Sequence, residues 1–170
     1  MLLVSNLTAR TYPTHKFHGD ITEASYGQFM ESMRGSYTNV HIIDINSNGG
    51  DLLTAFNIID IMRAAQESGH IFICTVSKAY SAAFTILSAC DYRLGRRKSR
   101  YMDHRCYKPY FIWIMYTWFT GQMDSIRLGL LENRITIPMF MYVEQYMMKE
   151  KFYGPDEAIR IGIIDGYEYD

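Results

Sequence analysis

Ser81, His104 and the glycine pair Gly49-Gly50 are the residues whose types and settings suit a reaction. The glycines close the run Asn46-Ser47-Asn48-Gly49-Gly50, between an apolar stretch and a stretch of helical spacing. Glycine allows backbone conformations closed to other residues and lets the chain approach a substrate. A turn of this kind can aim N–H groups at a developing negative charge. Ser81 sits in Ala79-Tyr80-Ser81-Ala82-Ala83, at the start of an apolar segment. A helix beginning there would put it at the positive end of the helix dipole, beside N–H groups free to bind an anion. A serine hydroxyl is a weak nucleophile until a base takes its proton. An imidazole, with an ordinary pKa near 6.5, suits that task, and His104 is the histidine with a patterned run in front of it. Nucleophile, base and oxyanion cradle together point to acyl transfer. Taken alone, Ser81 reads more simply as a small residue that lets two helices pack.

The other histidines (His15, His18, His41 and His70) have no such setting and read as surface or strand-edge residues. None has HxxxH or HExxH spacing, so no metal site is expected. No Walker A pattern occurs, so any use of ATP must come from another chain, and no cofactor is expected.

The elements that must hold these residues follow from periodicity. Residues 1–16 show no clear period and read as an arm. Residues 21–33 suit a first helix. Residues 39–46 are apolar and bounded by turn residues, as in a buried strand. Leu52, Leu53, Phe56 and Ile59 have helical spacing over residues 51–66, with Asp51 where the dipole favours a negative side chain. Residues 70–76 read as a second buried strand and residues 79–90 as a helix buried on all sides. Short strands are expected at 91–94 and 100–103, joined by a basic turn at Arg96-Arg97-Lys98. Residues 122–148 read as helical with a break before Pro138. A last short helix follows Gly154-Pro155 and ends at Gly162. Alternating strands and helices imply an α/β fold with a mostly parallel sheet.

These segments resemble the proteolytic subunit of the Clp protease. In that family a strand ends in Ile-Asn-Ser-Pro-Gly-Gly; here residues 45–50 read INSNGG. The family's nucleophile sits in an Ala-Ser-Met-Gly-Ala-like run, matched by Ser81 with Ala82-Ala83. Its histidine sits in Asn-Ser-Arg-x-Met-x-His, and residues 98–104 read KSRYMDH. Its C-terminal part carries an acidic residue, Phe, Ala-Glu-Glu-Ala and Gly-Leu-Ile-Asp; here Glu150, Phe152, Asp156-Glu157-Ala158 and Gly162-Ile163-Ile164-Asp165 stand in that order.

The resemblance implies one domain over residues 1–170, with the repeated strand–strand–helix fold shared with crotonases. The arm is 1–16, the core with nucleophile and base 17–106, an aromatic and handle-like helical region 107–149, and the acidic residue and last helix 150–170. It implies a serine endopeptidase with Ser81 as nucleophile, His104 as base and Glu150 as the acid, where the family has aspartate. Asp156 and Asp103 are the other acidic candidates. Asp103, next to His104 on a strand, would point to the opposite face. The implied oxyanion donors are the N–H groups of Gly50 and Ala82, with Gly49 and Gly50 bordering the substrate. The implied partners are a peptide or unfolded-protein substrate, a homo-oligomeric ring, and a Clp-type ATPase or second proteolytic subunit. Asn48, Tyr80, Ala82-Ala83 and Glu150 depart from the family pattern, as in a divergent, bacteriophage-type member. Tyr80 would narrow the site. Two other readings share these motifs: a subunit without activity that joins or regulates a ring, and a crotonase-like acyl-CoA enzyme, for which both Ser81 and His104 would be coincidences.

A length of 170 residues suits one domain with a real core, and with 48% apolar and 21% charged residues disorder is not expected. A net charge of −1 gives no basic field for nucleic acid. The longest apolar run, residues 110–119, is far short of the ~20 residues that span a bilayer. Met1–Leu7 lacks the parts of a signal peptide. Cys74, Cys90 and Cys106 show no metal spacing; the first two lie in apolar segments and read as buried thiols, which fits a reducing, cytoplasmic setting. Tyr107, Tyr110, Phe111, Trp113, Tyr116, Trp118 and Phe119 form an aromatic segment that reads either as core or as a contact surface.

Overall fold

The computed structural model describes residues 12–106 and 113–168, with side chains from residue 120 onward in the second stretch. Five strands form one all-parallel sheet in the order β1-β2-β3-β4-β5. They are β1 (Thr14–Ile21), β2 (Val40–Gly50), β3 (Ile71–Tyr80), β4 (Tyr92–Met102) and β5 (Gly166–Tyr167). Helices α1 (Glu23–Arg34), α2 (Leu52–Glu67) and α3 (Ala82–Ala89) make the crossovers between the first four strands. Helix α4 (Trp113–Leu131), the short α5 (Met139–Tyr142) running into a π-turn (Val143–Met147), and α6 (Pro155–Arg160) complete the described chain. The expected α/β architecture, with a parallel sheet and flanking helices, is what forms.

Local chemistry sets the boundaries. Thr22 caps α1 in a capping box with Ser25, each side chain accepting the other's backbone N–H. Asp51 caps α2, its carboxylate accepting from Thr54 N–H at 2.8 Å. Gly162, at φ +81°, ends the last helical turn in a conformation that favours glycine. Along β2 the even rows are half-open while His41, Ile43, Ile45 and Ser47 are buried against the helices. The strand read from sequence as wholly buried is therefore two-faced. Its other face carries a polar row: Asp44 accepts from His18 and Arg96, each at 2.9 Å, and Arg96 also reaches Glu168.

Several elements differ from expectation. β1 starts at Thr14, inside the expected arm, and runs to Ile21; residues 1–11 lie outside the described chain. The two short strands expected around the basic turn are one strand. β3 steps from Val76 to Lys78 while β4 steps from Gly95 to Arg100, so the basic residues sit in a bulge and pairing resumes beyond them. Whether the aromatic segment 107–119 is core or contact surface concerns side chains outside those described. The expected buried thiols are corrected as well. Cys74 on β3 and Cys90 at the end of α3 are fully buried and joined as a disulfide, their Cα atoms 6.0 Å apart. The inward row of β3 faces the end of α3, so tertiary packing brings the two sulfurs together.

A chain of imidazoles crosses the N-terminal ends of β1, β2 and β3, and it buries His15 and His41, which the sequence reads as surface or strand-edge residues. His15 Nε2 lies 3.1 Å from His41 Nδ1, and His41 Nε2 lies 2.8 Å from His70 Nδ1. Burial and the neighbouring His41 lower the His15 pKa from 6.5 to about 4, and burial and His70 lower that of His41. The folded chain thus keeps His15 neutral where the unfolded chain takes up a proton. Stability falls as pH drops from 6.5 towards about 4. His15→Gln is expected to flatten that fall, read as urea midpoints at pH 7, 6 and 5. Equal slopes for both proteins would contradict this account.

Candidate active site

β2, β3 and β4 carry their C-terminal ends to one place, and the chemistry-bearing residues lie at those ends. β3 finishes at Tyr80, and Ser81 makes the sharp turn into α3 with φ 53° and ψ −123°. For a non-glycine residue this is a strained backbone, of the kind that recurs at nucleophile elbows. The helix expected from residue 79 thus begins only after Ser81. The elbow is held on both sides: Ser81 N–H donates to Met102 O at 3.0 Å, and Thr85 N–H donates to Ser81 O at 3.2 Å.

β4 ends at Met102, paired with Tyr80, and the chain then brings His104 back over the elbow. His104 Nε2 lies 2.7 Å from Ser81 Oγ. His104 Nδ1 lies 2.6 Å from the main-chain oxygen of Arg105. A carbonyl can only accept, so Nδ1 carries the proton and Nε2 presents its lone pair to the serine hydroxyl. That is the tautomer a general base needs.

Gly49 packs directly on the elbow, and Gly50 packs on Ile21 of β1. Gly49 and Gly50 have φ +100° and +144°. A Cβ on Gly49 would stand 2.7 Å from Tyr80 O, 2.8 Å from Ser81 Cβ and 3.1 Å from Ala82 N. Only glycine permits both the φ and the approach. Ser47 Oγ accepts the Gly49 N–H at 3.0 Å and steadies the end of β2. Ala82 is the first residue of α3, so its N–H has no acceptor within the helix. Tyr80 stands beside Ser81 with its ring edge-on to Phe152, centroids 5.1 Å apart.

The carboxylates lie elsewhere. Glu150, at φ 47°, is exposed, and among the described residues no hydrogen bond or ion pair joins its carboxylate to His104. Asp156 is engaged by Tyr167 OH. Asp103 is buried, but its carboxylate accepts from the His104 backbone N–H at 2.9 Å, from Tyr142 OH at 3.0 Å and from Arg127. In this structure the imidazole's second nitrogen is therefore met by a main-chain carbonyl.

Sequence reasoning missed Arg127, Asp124 and Tyr142. An arginine three residues after an aspartate, within the largely apolar stretch 123–131, was the available signal. Such a pair in an apolar helix marks a buried ion pair rather than a solvated face.

A family model described as Clp protease matches residues 28–111, which hold the glycine pair, Ser81 and His104. The chain belongs to the Clp protease family. No curated protein matches it. Membership places the chain with Clp-type peptidases, and the all-parallel sheet and flanking helices agree with that fold. The C-terminal motif expected from the resemblance docks on β4: the Asp165 carboxylate takes the Arg93 guanidinium at 2.6 Å and the Arg93 N–H at 2.7 Å. The described helices include none long and apolar enough to cross a membrane.

Proposed function

We propose that this Clp protease family member is a serine endopeptidase working through Ser81 and His104, in a self-compartmentalising ring that admits peptides or unfolded chains. The observation that carries the reading is the 2.7 Å contact from Ser81 Oγ to His104 Nε2 at a strained elbow. His104 takes the hydroxyl proton as Ser81 Oγ attacks the scissile carbonyl. The N–H groups of Ala82 and Gly50 receive the oxyanion. His104 then returns the proton to the leaving amine, and water repeats the sequence on the acyl-enzyme. A fluorophosphonate probe should label Ser81 in the native protein and spare Ser81→Ala. A wild-type protein that resists both labelling and peptide cleavage in every assembly state would end this reading.

Glu150 remains the family-derived candidate for the acid, and its exposed carboxylate would have to swing to His104 on assembly. With Arg105 O at Nδ1, Glu150→Gln is expected to slow labelling by less than about tenfold. Replacing an orienting carboxylate in contact with its histidine costs about 10⁴-fold. A loss of that size would instead show that assembly brings Glu150 to the ring.

The separation of Glu150 from the imidazole also favours a second reading, in which this chain is a weak or inactive subunit that joins an active ring. Ring formation with another proteolytic subunit, with activity unchanged by Ser81→Ala, would support it. A homo-oligomer that loses all activity with that substitution would exclude it. The half-open polar face of the sheet is the surface such assembly would cover, since parallel sheets are ordinarily covered on both faces. A Clp-type ATPase is the expected source of unfolded substrate.

A further inference from the structure

We infer that Arg127 is a positioning residue that sets the reach from His104 to Ser81. The inference rests on the reading of those two residues as base and nucleophile. Arg127 projects from α4 into the space between α3, the end of β4 and α5, and is 5% exposed. Its Nη1 donates to His104 O at 2.7 Å and to Asp124 Oδ1 at 3.3 Å. Its Nη2 donates to Asp103 Oδ1. Its Nε donates to Thr85 Oγ1 at 3.1 Å.

These bonds converge on both halves of the site. Asp103, held by Arg127 and by Tyr142, accepts the His104 N–H, while Arg127 takes the His104 carbonyl. Both peptide groups of the base are thereby tied to one guanidinium. On the other side, Thr85 N–H donates to Ser81 O, so the same guanidinium reaches the nucleophile's elbow through one residue. The Asp124 carboxylate completes the clamp by accepting from Cys106 N–H at 3.3 Å and from Arg105 at 3.2 Å. This holds the residues that follow His104, including the carbonyl that meets its Nδ1.

Energetics favour a role beyond stability. Asp103 is 1%, Asp124 6%, Thr85 1% and Tyr142 0% exposed, so the ions have left water. Burial lowers even the Arg127 pKa to about 10. Buried ion networks of this kind are often no more stable than an apolar replacement of the same volume. What the planar fork supplies is direction: donors at fixed angles to four oxygen acceptors, on α3, on α4 and on the segment after β4. Lysine carries the charge but cannot span them together.

The test compares wild type, Arg127→Lys and Thr85→Val in fluorophosphonate inactivation kinetics, with melting temperature and histidine ring NMR titrations alongside. A displacement of the base by about 1 Å can cost roughly 100-fold in rate, so kinact of Arg127→Lys should fall by about that factor while KI stays within about threefold. Its His104 ring titration should shift. Unchanged kinact and an unchanged His104 titration would overturn the inference. If Arg127→Lys fails to fold, Thr85→Val decides, since it cuts the link from the guanidinium to the nucleophile's helix, together with the 3.4 Å bond from Thr85 Oγ1 to Ser81 O, while the Thr85 N–H still holds that carbonyl. A lowered kinact in a protein of normal melting temperature supports positioning, and an unaltered one refutes it. A wild type that resists the probe sinks the proposed function by itself. The His104 titration then judges the positioning claim, with identical curves in all three proteins counting against it.

Discussion

Ser81→Ala is expected to lower peptide cleavage by roughly 10⁴-fold or more, and His104→Ala by a similar factor. On the proposed reading the two act on one proton, which the hydroxyl would lose to Nε2 across 2.7 Å, so neither group would help without the other. The double variant should therefore be no slower than the worse single one. The residual rate over water would reflect the N–H groups at the glycine pair and α3, which both substitutions leave in place. Turnover of a fluorogenic peptide, normalised by the fraction of sites that titrate with the probe, measures this. Independent, multiplying losses would mean that the residues do not act as a pair. A fully active Ser81→Ala would remove the nucleophile from the account.

The second large effect is expected at the glycine pair. Gly49→Ala would set a methyl group 2.7 Å from Tyr80 O and 2.8 Å from Ser81 Cβ, on a backbone at φ +100°. The atoms in its way are the elbow itself, so relief must come by moving the nucleophile. Strain of about 1–3 kcal/mol is expected in stability. The larger loss is in rate, roughly 100-fold, because a small misplacement of reacting groups is enough. Gly129→Ala on α4 is the control: a methyl group there would meet no atom within 4 Å, and the substitution should keep activity and stabilise the helix by up to about 1 kcal/mol. Denaturant midpoints and labelling rates measured together separate the two losses. Gly49→Ala with wild-type labelling would show that the glycine pair does not set the elbow.

Much of this was legible because local sequence and local structure agree. Apolar runs bounded by turn residues marked β2 and β3, and helical spacing behind Asp51 marked α2 to within a residue or so at each end. The Gly-Gly, Ser81 and His104 motifs were readable because each is a short run whose chemistry needs adjacent residues. Where sequence and structure part, a longer-range force intervenes. The strand pairing of β3 with β2 and β4 extends it to Tyr80, so α3 starts after Ser81 and not before it. Ladder pairing on both sides of the basic residues turns two expected strands into one bulged β4.

The sequence by itself determined the strand–helix alternation and which serine and histidine have a reactive setting, since these depend on residue type and near-neighbour spacing, whereas the glycine pair expected in a turn closes β2, paired with Asp20 and Ile21 of β1. Tertiary structure alone decided that Cys74 meets Cys90, that Arg127 spans His104 and the helix that follows Ser81, that Arg105 O rather than Glu150 meets the imidazole, and that Ser81 adopts a strained elbow. Each of these depends on the three-dimensional approach of segments far apart in the chain or on the angle at which they meet. Hydrophobic burial of the sheet against its helices sets those approaches, and no local pattern encodes them.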